Sequence, residues 1–258
     1  MDGRGDDKMS TIPKIIHYCW FGRGQKSALM QSCIASWESL KRDYQFICWD
    51  ESNFDIHSSQ FTEEAYIQKK WAFVSDYVRL IALYEYGGVY LDTDMMFLKP
   101  FHHLLEKHQL VLCMQDSGLI ATSFIASVPQ HDFIRQMLAQ YNEGQASLEK
   151  NYKMIDVNNF HFQKALTEQY GLNQVNKQQL LNDGITIFPD DFFHVKSYMT
   201  GMIHLTENSC MIHYMAATWV SPHKRIGIYL RKKIFIPIIG EERYRWLKGK
   251  LKKVVGEK

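Results

Sequence analysis

Two carboxylates two residues apart, Asp92 and Asp94, lie in the stretch GGVYLDTDMMFLKP at residues 87–100, at the end of a run that otherwise reads as a buried strand. In extended backbone, residues i and i+2 point to the same side, so both carboxylates aim at one place while Thr93 points away. Two anions held together need a cation. A hard divalent ion, Mn2+ or Mg2+, suits oxygen ligands and keeps open positions for water and phosphate. The alternative is a pair of turn residues that cap backbone N–H groups or meet Lys99.

The elements that must position this pair alternate between strand and helix. KIIHYCWFG (14–22) reads as a strand, SALMQSCIASWESL (27–40) as an amphipathic helix and YQFICWD (44–50) as a second strand. TEEAYIQKKWAFVSDYVRLIALYEYGG (62–88) has a Thr62 cap, acidic residues in its first turn, helical apolar spacing and a Gly-Gly stop. It reads as one helix that delivers the chain into a strand at 89–92. A further strand is expected at 109–115, a helix near 130–141 and strands near 185–188 and 210–214; the Asn- and Gln-rich stretch 142–183 has no readable pattern. This order places the Asp pair at the carboxyl end of a strand, where open α/β sheets bind ligands.

Composition limits the alternatives. With 258 residues, 46% of them hydrophobic, the chain can bury a full core, which excludes a disordered or fibrous protein. The five cysteines are odd in number and lack CxxC spacing, which suits a reducing compartment better than a disulfide framework. A cytoplasmic location is therefore expected, since no run approaches the roughly 18–20 apolar residues of a membrane span. The opening MDGRGDDKMS is charged rather than signal-like and reads as a tip or an added leader before a start at Met9.

Charge divides the chain. Residues 224–258 hold 12 Lys or Arg against 3 acidic residues, leaving 18 against 25 for residues 1–223. The expected organisation is one domain at 10–223 and a basic amphipathic helical tail at 224–258, with a linker near Ser221-Pro222. Apolar residues interleave with the basic ones in the tail, as in a segment lying on an anionic membrane surface; packing on the domain or plain solvation is the alternative. An acidic body without a recognised binding motif argues against a nucleic-acid partner.

IPKIIHYCWFG, CIASW, WDESNFD, KKWAFVSDYVRLIALYEYGGVYLDTD and IHYMAATW together resemble family 32 of the glycosyltransferases, the DXD-containing sugar-transferase family. The likeness is dense over roughly residues 12–100 and resumes near 185–223. It implies an α/β fold of the GT-A type, a central mixed sheet flanked by helices, with a nucleotide-sugar donor, Mn2+ or Mg2+ at the DXD and retention of anomeric configuration. Bacterial members of the family build surface polysaccharides, and its relatives include fungal mannosyltransferases and glucosylating toxins.

Site roles follow from the resemblance. Asp94 coordinates the ion directly, Asp92 bridges ion and donor, and His213 in CMIHYMAATW is the positional match for a third ligand, or else a paired histidine at a core strand's end. Asp76 and Arg79, three apart on a helix face, hold sugar hydroxyls or diphosphate, or else form an internal salt bridge. Tyr90 lines the donor pocket or packs in the core. One of Trp20 and Phe21 stacks on the base, with core packing as the alternative, and Asp50 accepts from base or ribose or caps a helix. Trp219, with Ser221 beyond it, resembles a mobile segment that closes over the diphosphate.

The chain also departs from the family pattern. Where the resemblance implies an Asn-containing segment on the acceptor side, MQDSGLIATSFIAS stands, with Asp116 and Ser117 as its polar residues, so no nucleophile or base is assigned. His102, His103 and His108 read as solvated helix residues. The expected activity is transfer of a hexose, from UDP-galactose or UDP-glucose first and GDP-mannose second, to a saccharide acceptor carried on lipid. Such a protein works peripherally at the inner face of the membrane, in capsule, O-antigen or lipooligosaccharide assembly. The rivals are a silent nucleotide-sugar-binding protein and a phosphohydrolase using the Asp pair.

Overall fold

The computed structural model describes residues 11–142, 157–216, 222–244, 246, 247 and 250. Its centre is a seven-stranded mixed sheet in the order β2-β1-β3-β6-β5-β8-β7. Strands β1 (Ile15–Cys19), β2 (Gln45–Trp49) and β3 (Gly88–Leu91) run parallel. β6 (Ile120–Ser127) pairs antiparallel with β3 and with β5 (Leu110–Met114), and β5 is parallel to β8 (Ile185–Phe188), which carries the short edge strand β7 (Gln179–Leu180). A two-stranded ribbon of β4 (Met95–Phe97) and β9 (Met211–His213) joins the DXD to the late histidine. This is the mixed α/β class expected from the sequence.

Helices cover both faces. One core packs α2 (Gln60–Ile67), α3 (Trp71–Tyr86), α4 (Asp132–Asn142) and α5 (Val157–Gln169) on one side of the sheet. The other core holds the Trp37 region after α1 (Ala28–Ser36), the β4–β9 ribbon and the four-residue α6 (Asp190–Phe193). The single helix expected over 62–88 is two. Its true N-cap is Ser59, whose hydroxyl accepts from Phe61 N, while Thr62 lies inside α2 and donates back to Ile56 O. Lys69, at φ 56°, breaks the helix, and Lys70 N returns to Ala65 O at 2.8 Å.

Gly88 lets β3 lie close beside β1. Its φ is +98°, and a Cβ there would stand 2.6 Å from Ile15 O. Beneath it, His17 has no exposed surface: its Nε2–H donates to Gly87 O at 2.8 Å and its Nδ1 accepts from Trp49 Nε1 at 3.1 Å. Both ring nitrogens are satisfied only in the neutral tautomer, and burial lowers its pKa from 6.5 to about 4.

Acid therefore weakens the fold through His17. The unfolded chain binds a proton below pH 6.5 that the folded chain refuses until about pH 4, so stability is full above 6.5 and falls through that window by roughly 3 kcal/mol. His131 and His194, also lowered by burial, push the same way, while His213, raised beside its carboxylates, opposes them. Urea midpoints at pH 7 and pH 5 should show the loss, and His17→Gln should flatten the slope without abolishing it.

Candidate active site

The Asp pair sits where β3 ends, but in a turn rather than in the strand itself. β3 stops at Leu91, and Met95 N donates to Asp92 O at 3.1 Å, so Asp92-Thr93-Asp94 reverses the chain into β4. The carboxylates converge because β4 pairs with β9, register Met95 against His213, and brings the imidazole between them. His213 Nε2 lies 3.3 Å from Asp94 Oδ1 and 3.9 Å from Asp92 Oδ2. Ligand atoms of all three residues fall within 4.8 Å of one another.

Each member is held from behind. Asp92 N donates to Ser123 O on β6 at 2.9 Å, and Asp92 Oδ1 accepts from the Tyr90 hydroxyl at 2.9 Å. Asp94 Oδ2 accepts from Ala216 N at 2.6 Å, and its backbone oxygen accepts from Tyr214 N at 3.0 Å. Ser123 Oγ stands between His213 Nδ1 and His194 Nε2, 3.1 Å from each. Three ligand atoms thus face one another while the far side of each ligand is engaged, an arrangement suited to an ion held through imidazole Nε2. Ser123 and His194 were not singled out in the sequence, because the contact joins positions 71 residues apart without a motif.

Two carboxylates and one imidazole fit a hard divalent ion that keeps open positions, as Mn2+ and Mg2+ do, with the nitrogen donor favouring Mn2+ of the two. The electrostatics agree. Burial would raise the Asp94 carboxyl, but His213 beside it and the Ala216 N–H bring it down to about 2. Burial would lower His213, yet Asp94 and then Asp92 hold it above its ordinary value.

Arg79 is a correction to the sequence reading. Its side chain is 6% exposed and its fork is filled from within: Nε donates to Ser75 O at 3.2 Å and Nη1 to Thr122 O at 2.7 Å. Nη2 pairs with Asp76 Oδ1 at 2.9 Å and Asp92 Oδ1 at 3.4 Å, and the guanidinium lies 4.4 Å over the Tyr90 ring. The internal salt bridge is the form it takes, and its evident work is to orient both carboxylates. Tyr90, buried beneath Arg79, likewise braces Asp92 instead of lining an open pocket. Asp76 keeps 21% of its side chain exposed, and burial raises its carboxyl to about 6 against the pull of Arg79.

Other expected residues separate. Phe21 is 4% exposed and packs edge-on against Phe54 in the core, so it has no face free for a base. Trp20 is half-buried, its indole N–H donating to Gly24 O at 2.7 Å with the Lys26 ammonium 4.8 Å from the ring. Asp50 caps its own loop, accepting from Ser52 N and Oγ, which lowers its pKa. Its neighbour Glu51, unremarked in the sequence, accepts from Gly22 N and the Tyr66 hydroxyl and ties the end of β1 to α2. Trp219 and Ser221 lie outside the described residues, as do residues 1–10 with Met9.

Asp116 is committed elsewhere, accepting from Tyr198 N at 2.8 Å and from the Ser197 hydroxyl. Asparagines do reach the site, from α5. Asn158 Nδ2 donates to Asp76 O at 3.1 Å, and Asn159 Nδ2 to Ile120 O at 2.7 Å while its Oδ1 accepts from Thr122 at 3.0 Å.

Residues 27–111, which hold the helix, the turn and both aspartates, match a family model described as the glycosyltransferase sugar-binding region containing DXD motif. Inositol phosphoceramide mannosyltransferase 1 of Schizosaccharomyces pombe is 27% identical over 148 residues, 53% of this chain and 45% of the yeast protein. Inositol phosphoceramide mannosyltransferase 2 of the same yeast is 30% identical over 156 residues, 55% of this chain and 40% of its own length. Lactosylceramide 4-alpha-galactosyltransferase of Rattus norvegicus is 34% identical over 73 residues, 27% of this chain and 19% of the rat protein. The chain thus spans less than half the length of these curated relatives. Among solved structures, the PaToxG glycosyltransferase is similar with a TM-score of 0.47 and 18% identity, over 61% of this chain and 69% of that one. A glycosyltransferase involved in glycosylation of the major capsid of PBCV-1 gives 0.44 and 12%, over 84% and 98%.

Proposed function

We propose that this chain moves a hexose, with retention of anomeric configuration, from a nucleoside diphosphate sugar to a saccharide hydroxyl, using Mn2+ or Mg2+ held by Asp92, Asp94 and His213. The observation that carries the reading is the convergence of those three ligands, within 4.8 Å, immediately after the helix that bears Asp76 and Arg79. A divalent ion bound there supplies positive charge beside the leaving diphosphate, whose negative charge grows as the glycosidic bond breaks.

The chain's own residues prepare that place. Arg79 and Tyr90 fix Asp92 Oδ1, leaving Oδ2 turned toward His213. Ser123 orients His213 through Nδ1, and His213 with the Ala216 N–H holds Asp94 in its ionised form against its burial. Asp76, partly exposed and with its carboxyl at about 6, is ionised at neutral pH and accepts hydrogen bonds from donor sugar hydroxyls. Trp20 is the aromatic with surface to offer a nucleobase.

The donor is a hexose carried on UDP or GDP. The names of the yeast and rat relatives favour mannose and galactose, and their ceramide acceptors favour a saccharide acceptor carried on lipid. The catalytic unit occupies residues 10–223, and the basic tail holds it at the inner face of a membrane, as in bacterial surface-polysaccharide assembly. Release of nucleotide from a panel of UDP- and GDP-hexoses, with Mn2+, Mg2+ or chelator and no acceptor, tests this. Slow, metal-dependent release from one donor is expected. Donor binding without release, with or without saccharide acceptors, would favour a silent binding protein, and sugar-independent release of inorganic phosphate a phosphohydrolase.

A further inference from the structure

The C-terminal segment has a docked face and a face that no described residue covers. It runs through α7 (Pro222–Leu230), a π-helical turn (Arg231–Phe235) and α8 (Ile236–Ile239). Ile228, Lys232 and Ile236 recur every four residues and form the inner face. Ile236 is 1% exposed, and Lys232 lies against Gly201 with its ammonium 5.5 Å from the Tyr198 ring. Glu241 adds contacts to Thr200 Oγ1 at 3.3 Å and His204 Nε2 at 3.2 Å. Ile226, Leu230, Ile234 and Ile238 recur at the same spacing on the opposite face, and all are exposed, Ile238 by 76%. Solvent-facing helix positions are ordinarily polar, so four consecutive apolar ones mark a contact surface.

The hairpin that receives the tail repeats the pattern. Residues 195–204 fold back through Ser197 N to Met202 O and His204 N to Val195 O. Met202, Ile203 and Leu205, set among the residues touching the tail, are exposed, Leu205 by 60%. Exposed Lys233, Arg243 and Lys250 intersperse the apolar side chains, within a tail of 12 basic against 3 acidic residues. No described helix is long and apolar enough to cross a membrane.

We infer that the tail helix and the 195–205 hairpin together form one lipid-binding face that lies on an anionic bilayer, Met202, Ile203 and Leu205 inserting beside Ile234 and Ile238. Apolar side chains among cations suit the acyl and headgroup layers of such a surface. The face is rigidly tied to the site. Lys196 Nζ donates to Tyr214 O at 2.7 Å, next to His213, and Asp116 grips Ser197 and Tyr198. The link to a lipid-carried acceptor rests on the transferase reading; the face itself is testable without turnover.

Cosedimentation of the full chain with vesicles of phosphatidylcholine alone, and of phosphatidylcholine mixed with phosphatidylglycerol, provides the test. The wild type is expected to bind the anionic vesicles, less so in high salt. Met202→Ser/Ile203→Ser/Leu205→Ser and Ile238→Ser should each weaken binding roughly tenfold with an unchanged thermal midpoint. Should the triple variant misfold, Leu205→Ser alone, at an exposed position, carries the readout. Hairpin variants that bind as the wild type does would confine the contact to the tail and overturn the inference, as would a wild type that ignores anionic vesicles. Vesicle binding without nucleotide release would instead count against the transferase reading alone.

Discussion

Asp94→Asn is expected to lower kcat/KM for nucleotide-sugar turnover at least about a thousandfold, some 4 kcal/mol of transition-state stabilisation, while the chain stays folded. The amide keeps the shape of the carboxylate, and an oxygen still accepts from Ala216 N–H. What disappears is the charge. Asp94 is held ionised, with a carboxyl at about 2, by a histidine 3.3 Å away, and a neutral amide is a poor ligand for a hard divalent ion. Steady-state kinetics on the preferred donor, with circular dichroism as the control for folding, would check this. Turnover within tenfold of the wild type would remove the DXD from the chemistry.

Arg79→Met should damage the fold itself. The guanidinium, itself 6% exposed, is the partner of two partly exposed carboxylates, Asp76 and Asp92, and satisfies two backbone oxygens, Ser75 O and Thr122 O. Removing it leaves like charges facing each other with no cation between them. Breaking such a pair from one side costs about 3–5 kcal/mol. Urea unfolding would measure the loss. Arg79→Lys should recover only part of it, because a single ammonium cannot span four acceptors that a planar fork reaches together. A change below about 1 kcal/mol for Arg79→Met would show the network to be more solvated than its burial indicates.

Local pattern made much of this site legible. The run WAFVSDYVRLIALYEYGG announces α3 by apolar spacing and a Gly-Gly end, and it fixes Asp76 and Arg79 on one face. Asp92, Asp94 and His213 were all legible as candidate ligands, and the structure brings the three together. Strand alternation suggested that convergence, whereas a turn and a non-local ribbon achieve it. β4 has three residues, and its partner lies more than a hundred positions away, so nothing local marks it.

Strand β6 escaped for a different reason. All eight residues of IATSFIAS are buried, so the alternation that signals a half-exposed strand is absent. With it went Ser123 and Thr122, the residues through which β6 positions His213 and Arg79. The break between α2 and α3 also left no trace, because QKK contains neither Gly nor Pro, yet Lys69 takes up the left-handed conformation that closes α2. The two readings of Arg79 stayed open because a buried arginine and a ligand-facing one look alike in sequence. Only the count of internal acceptors distinguishes them.

The central claim is that Asp92, Asp94 and His213 form one divalent-ion site serving a nucleotide donor. Its most direct test is electron paramagnetic resonance of Mn2+ titrated into the full chain with UDP or GDP, for the wild type and for His213→Ala. The wild type is predicted to bind Mn2+ in the presence of one nucleotide, with affinity at least tenfold above that of His213→Ala. Equal affinity in the two proteins, no greater than that of the free nucleotide for Mn2+, would contradict the site.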